Sequence, residues 1–113
     1  MYRVGLLALL FCGISPAFAV GTVIGTVVKV RVDSSGKGMV FFSANVSGVA
    51  VNCASAYYPN GLAFDSATPG GKSILAAALA AKATGDTLEA FGTGQCAIYG
   101  SGVVEDVQYL QVL

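Results

Sequence analysis

Ser73-Ile74-Leu75-Ala76-Ala77-Ala78-Leu79-Ala80-Ala81-Lys82-Ala83-Thr84 is the stretch on which the fold turns. Alanine and leucine are the strongest helix formers, so the run predicts a helix over residues 73–84. Ser73 offers an N-cap oxygen. Gly85 suits the left-handed residue that ends a helix. Ile74, Leu75, Ala78 and Leu79 supply an apolar face. This is the one helix the sequence predicts, and what surrounds it reads as strand and turn.

Upstream, residues 21–32 read as one long strand. Ile24, Val28, Val30 and Val32 share one face, and Lys29 and Arg31 lie on the other, the period-two pattern of a half-buried strand. Asp33-Ser34-Ser35-Gly36-Lys37-Gly38 is a dense turn signal before a second strand over residues 39–44, so the two form a hairpin. Residues 45–48 are a further turn, and 49–53 a short third strand. Residues 54–71, with Tyr57 and Tyr58, are the longest stretch without clear periodicity; long loops in small domains are often functional. Downstream, residues 86–91 and 95–99 read as strands around the turn Gly92-Thr93-Gly94. After Gly100-Ser101-Gly102 comes a last strand, residues 103–112, with Val107, Tyr109 and Gln111 on one side and Gln108, Leu110 and Val112 on the other. The expected fold is mainly β with one helix: a small barrel of the oligonucleotide/oligosaccharide-binding (OB) type, its helix between strands 3 and 4 plugging one end. A two-layer arrangement, with the helix on the face of a sheet, is the alternative. No internal repeat or linker divides the chain.

The first 19 residues carry a different message. Met1-Tyr2-Arg3 is a short positively charged start, residues 4–14 are apolar and rich in leucine, and Ser15-Pro16 precedes Ala17-Phe18-Ala19. That is the layout of a cleavable signal peptide over residues 1–19, leaving residues 20–113 as one domain. A membrane anchor is the competing reading, but the apolar run is shorter than the roughly 20 residues needed to span a bilayer and stops at a proline. A lipoprotein signal at Cys12 is the third; Phe11 and the short preceding run argue against it. The expected location is periplasmic or secreted.

Export changes the meaning of the cysteines. Cys12 leaves with the signal, and Cys53 and Cys96 form an even pair in an oxidising compartment, hence an expected disulfide. Two free buried thiols are the alternative. The exported part holds five cations (Lys29, Arg31, Lys37, Lys72, Lys82) and six anions (Asp33, Asp65, Asp86, Glu89, Glu105, Asp106). That near balance gives no electrostatic reason to bind nucleic acid, and nothing after residue 19 is long and apolar enough to span a membrane.

Catalytic motifs are missing. With no histidine in the chain, Ser-His-Asp and Cys-His catalysis and most zinc sites fall away together. Glu105 and Asp106 are strand neighbours pointing to opposite faces, so they do not converge on one bond, and both are expected to be solvated. Gly71-Lys72-Ser73 invites comparison with a phosphate-binding loop, but Ser66 stands where that pattern needs glycine. Asn45-Val46-Ser47 matches a glycosylation sequon, which has meaning only in a eukaryotic secretory pathway. No cofactor or metal is expected.

Two surfaces suit a ligand. Asp33, Ser34, Ser35 and Lys37 present hydrogen-bonding groups on a turn; any hairpin turn uses the same residue types. Tyr57 and Tyr58 have the apolar face and polar tip that suit sugar stacking or a subunit interface, and equally the packing of a loop over a barrel.

The strand ending Val32-Asp33-Ser34-Ser35, the segment ending at Cys53, the helix exit Ala83-Thr84-Gly85-Asp86 and the run from Leu88 through Gly92-Thr93-Gly94-Gln95-Cys96 together resemble the B subunits of bacterial subtilase cytotoxin and a wider set of small exported bacterial proteins. The resemblance covers nearly all of the chain after residue 19. It implies an OB-type barrel, a ring of five subunits, sialylated-glycan binding and a separate catalytic subunit as partner. It also implies sugar contact by a serine following an aspartate, which here is Ser34 or Ser35. The expected function is a non-enzymatic exported module of the AB5-toxin B-subunit kind that binds glycan. The alternative is an envelope structural or protein-interaction module without glycan specificity.

Overall fold

The computed structural model describes residues 20–113; the signal-peptide expectation and Cys12 lie outside them. The elements run β1 (Thr22–Gly25), β2 (Val27–Val32), β3 (Lys37–Phe42), a short 3-10 turn (Val51–Cys53), β4 (Gly61–Asp65), α1 (Pro69–Thr84), β5 (Leu88–Gly92) and β6 (Val107–Val112). They form two three-stranded antiparallel sheets, β1-β5-β6 and β2-β3-β4, plus one helix, without closing a barrel. The sheets touch at one parallel bridge, Ala63 to Asp106.

The stretch read as a single strand breaks at Thr26, whose N–H turns to Ser43 Oγ at 3.0 Å. A bulge between Val27 and Lys29 then shifts the register against β3. Together these reverse the expected facing. Val23 and Val27 are buried, Val30 packs against the core, and Ile24, Val28 and Val32 are exposed. Lys29 and Arg31 do lie opposite Val30, across from Phe41 and Met39.

The main core joins Val40, Phe42, Leu62 and Phe64 to Ala78 and Ala81 of the helix and to Leu88 and Ala90 of β5. A second, smaller core lies on the other face of β3 and β4. There Met39, Phe41 and Ala63 meet Val104 and are covered by Tyr58, Ile98, Tyr99 and Val103. Because β3 and β4 are buried on both faces, β4 shows no alternation, so the stretch expected to be one loop contains a strand.

Two expected strands are absent. Residues 49–53 fold locally instead, with the Cys53 N–H bonding Ala50 C=O at 2.8 Å and Val51 93% exposed. Residues 95–99 turn rather than extend, because the Ala97 and Ile98 N–H groups bond the Asp106 carboxylate. The last strand starts at Val107 rather than 103. An irregularity near Gln108 places Val107 on the same inner side as Leu110.

The helix begins four residues early. Thr68, not Ser73, caps it, its Oγ1 accepting from the Gly71 N–H at 2.9 Å, with Pro69 in the first turn. The Ser73 hydroxyl instead bonds Pro69 C=O. Gly85 ends the helix in the left-handed region, φ 73°. Leu79, expected on the apolar face, is exposed; Ala78 and Ala81 are the buried positions.

The Cys53–Cys96 disulfide is present, with Cα atoms 5.5 Å apart. It joins the 3-10 turn to the β5–β6 loop, whose Ile98, Tyr99 and Val103 cover the second core. No helix among the described residues is long and apolar enough to cross a membrane.

Candidate functional site

The hairpin turn forms as expected. Asp33 N–H bonds Lys37 C=O at 2.7 Å, Gly36 N–H bonds Asp33 C=O at 2.9 Å, and Gly36 takes φ 92°, a conformation natural to glycine. At the end of β2 the Asp33 carboxylate meets Arg31 in a forked contact, Nε to Oδ1 at 2.7 Å and Nη2 to Oδ2 at 3.3 Å. The Tyr99 hydroxyl donates to Oδ2 at 2.5 Å. Arg31 also reaches the Tyr58 oxygen at 3.5 Å and lies 5.8 Å from the centre of the Tyr99 ring. Among the described residues this is the one ion pair.

The cluster is assembled from three segments. Arg31 and Asp33 come from β2 and its turn, Tyr58 from the segment after Cys53, and Tyr99 from the segment after Cys96. The disulfide joins the two segments that carry these tyrosines. Tyr57 leans on Tyr58, with centroids 6.5 Å apart, and is 86% exposed, leaving a ring face open to solvent. Lys29 caps the neighbouring Phe41 ring at 4.2 Å.

The electrostatics follow from these contacts. The Arg31 hydrogen bond, then that of Tyr99, hold the Asp33 carboxyl below its ordinary value. Arg31 is raised for the same reason, its bond to Asp33 first. Desolvation, then the bond to Asp33, push the Tyr99 hydroxyl up to about 12. The result is a fixed carboxylate with its charge balanced, in a cluster whose Tyr58 carries the exposed Tyr57 ring against it.

Asp33 and Tyr58 are thus brought together, with Tyr57 alongside. Ser34 and Ser35 are exposed on the turn, Ser35 Oγ accepting from Lys37 N–H at 3.4 Å. Lys37 stands opposite Asp65 on β4 rather than in the cluster. Sequence reasoning missed Arg31 and Tyr99. Arg31 lay on the right face two residues from Asp33, which is a usable signal. Tyr99 is 66 residues from Asp33, and nothing local announces the pairing.

The expectation of solvated Glu105 and Asp106 is overturned: they are 1% and 8% exposed. Glu105 Oε2 accepts from Gly21 N–H at 2.8 Å and Gly94 N–H at 3.2 Å, and Oε1 accepts from Ala50 N–H at 3.2 Å. Asp106 accepts from Ala97 N–H at 2.9 Å and Ile98 N–H at 3.2 Å. Desolvation raises the Asp106 carboxyl above its ordinary value, with the two N–H bonds opposing the rise. Both carboxylates hold loops in place. A cleft of about 210 Å³ beside Glu105, lined also by Val49, Cys53 and Tyr58, opens behind the second core.

Compared with known proteins, the chain matches no family model, no curated protein and no solved structure.

Proposed function

We propose that the chain is an exported, non-enzymatic module that binds glycan at the Arg31–Asp33–Tyr58–Tyr99 cluster, with Tyr57 as the stacking surface. The observation that carries this is the Asp33 carboxylate, fixed by Arg31 and Tyr99, in a cluster that the exposed Tyr57 ring joins through Tyr58. A held carboxylate accepts from sugar hydroxyls at little ordering cost, and an aromatic face suits the C–H side of a pyranose. Ser34 and Ser35 stand on the turn beside it as further hydroxyl partners.

The fold reading we attach to this is an OB barrel, partly open. Taking β1 and β2 as one bent first strand, that strand pairs with β3 and β5, β3 with β4, β5 with β6, and β4 meets β6 in parallel at Ala63–Asp106. The helix then sits between the third and fourth strands. Arg31, Asp33 and Tyr99 of the cluster lie at the end of the first strand and in the loop after the fourth, the region through which OB folds bind oligosaccharides, and Tyr58 joins them from the loop after the second. A role like that of toxin B subunits, with a ring of copies and a separate catalytic chain, belongs to the same proposal. Several weak sites on one ring would multiply affinity. The disulfide supports export.

A non-catalytic role fits the chemistry. The chain has no histidine, its two described cysteines are joined, and Glu105 and Asp106 are engaged by backbone N–H groups. A protein-interaction role without glycan specificity is the second reading. It is favoured by exposed Val28 and Val32 on β2, which lies at the edge of its sheet.

A glycan array with the purified protein tests the first reading. Binding that is lost in Asp33→Asn and Tyr57→Ala supports it. No binding above background, together with a monomer by light scattering, sinks it.

A further inference from the structure

The outward face of the β1-β5-β6 sheet carries two cross-strand rungs. One is Thr22, Phe91 and Tyr109; the next is Ile24, Glu89 and Gln111. In the first rung the Phe91 and Tyr109 rings stack, centroids 4.7 Å apart and 22° between planes. In the second, Gln111 Nε2 donates to Glu89 Oε1 at 2.5 Å, which fixes the carboxylate beside the aromatic pair. An open groove of about 420 Å³ lies on the β1–β5 side of this face, lined by Thr22, Ile24, Glu89 and Phe91, with Asn45 and Ser47 on its rim; Tyr109 and Gln111 back it from β6. Ser47 is held there by a two-way backbone pairing with Thr22, each bond 2.8 Å.

From this arrangement we infer a second saccharide site, specific for an uncharged pyranose, on the Phe91–Tyr109 and Glu89–Gln111 rungs. Phe91 lines the groove and, backed on one face by the stacked Tyr109 ring, offers its other side to the C–H face of the sugar ring. Glu89 Oε2 makes no hydrogen bond among the described residues, and with Gln111 it offers acceptors to neighbouring hydroxyls. Glu89 is the only charged residue lining the groove, and no lysine or arginine lines it. A carboxylated or sulfated sugar would meet uncompensated repulsion there, so the ligand is neutral.

A protein partner fits this face less well. A flat interface would bury the half-exposed Glu89 carboxylate with only a glutamine amide as partner, and an unpaired buried charge is costly. A sugar leaves that carboxylate at the solvent edge. The site shares no residue with the Asp33 cluster and lies on the other sheet. The inference rests on the glycan-binding reading only for its ligand class.

The test is an amide chemical-shift titration of the purified protein with methyl glycosides of galactose, glucose, mannose and N-acetylglucosamine, with sialyllactose as the anionic comparison. The expected result is that at least one neutral glycoside shifts residues 22–24, 89–91 and 109–111. Tyr109→Ala and Glu89→Gln should each weaken that binding about tenfold, the scale of one aromatic or charged contact, while Asp33→Asn leaves it unchanged. Gln111→Ala, at an exposed position, serves if Tyr109→Ala does not fold. Shifts confined to residues 31–37 and 57–58 would overturn this site and leave the Asp33 reading standing. No shifts at millimolar glycoside, or a self-association that Tyr109→Ala abolishes without any glycoside effect, would also overturn it.

Discussion

At the scale of single residues, the buried Glu105 ties three segments of the molecule together. Its carboxylate gathers the N–H groups of Gly21, Ala50 and Gly94 from three separate segments. Gly92 makes room for it: a Cβ there would meet the carboxylate far inside contact distance. Glu105→Ala strands those donors, and each charged hydrogen bond lost in a buried setting costs about 1.5–3 kcal/mol. We expect a loss of at least about 3 kcal/mol in urea unfolding, and a similar loss for Gly92→Ala. Asp106 and Asp33 make opposite contributions to pH dependence. The raised Asp106 carboxyl binds its proton more tightly in the folded state, so its contribution grows as pH falls through its folded value toward 3.8. The lowered Asp33 carboxyl contributes above its ordinary value, and that contribution is lost as pH falls through its folded value. Urea titrations from pH 7 to 3 should therefore show wild type gaining on Asp106→Asn as the solution is acidified. Wild type should instead lose ground relative to Asp33→Asn at the lowest pH. None of this was legible from two adjacent acids in a sequence. The donors that hold them lie up to 84 residues away, and strand periodicity carries no record of them.

At the scale of elements, legibility follows burial. The helix was readable because alanine-rich composition and Gly85 act locally, and the β2–β3 hairpin because its turn chemistry is local. β4 was hidden by the burial of both its faces, which removes the alternation that marks a strand. The facing of β1 and β2 was misread because one break and one bulge each change parity, and neither leaves a sequence mark stronger than Gly25-Thr26. The start of the helix was misplaced because Ser73 and Thr68 are both plausible caps, and Pro69 decides between them. Thr68→Ala should cost about 1 kcal/mol, the usual worth of an N-cap oxygen. Gly85→Ala should cost about 1 kcal/mol through backbone strain alone, since a Cβ there meets nothing within 4 Å. Thermal unfolding followed by circular dichroism checks both, and Ser73→Ala, whose hydroxyl bonds only within the helix, should be near neutral by the same measurement.

At the scale of the whole molecule, the disulfide links stability to the candidate site. Counting cysteines was enough to expect Cys53–Cys96, but not to see what it holds. The bond joins the two segments that carry Tyr58 to Arg31 and Tyr99 to Asp33 and whose side chains cover the second core. Closing a loop with a separation of 43 residues should contribute about 4 kcal/mol by restricting the unfolded chain. In a domain this small that is a large part of the total. The contribution to the site is separate, because the main core with the helix is built from other residues and does not include either cysteine. The double variant Cys53→Ser/Cys96→Ser should therefore lower the midpoint of unfolding strongly. Below that midpoint it should keep the far-ultraviolet signature of the helix and lose order selectively around Tyr58 and Tyr99. Amide exchange measured residue by residue distinguishes the outcomes. Faster exchange confined to residues 50–60 and 94–104 matches a staple over the second core, whereas uniform acceleration through Leu62, Phe64 and Ala78 would mean that the two cores unfold as one and that the site has no local anchor of its own.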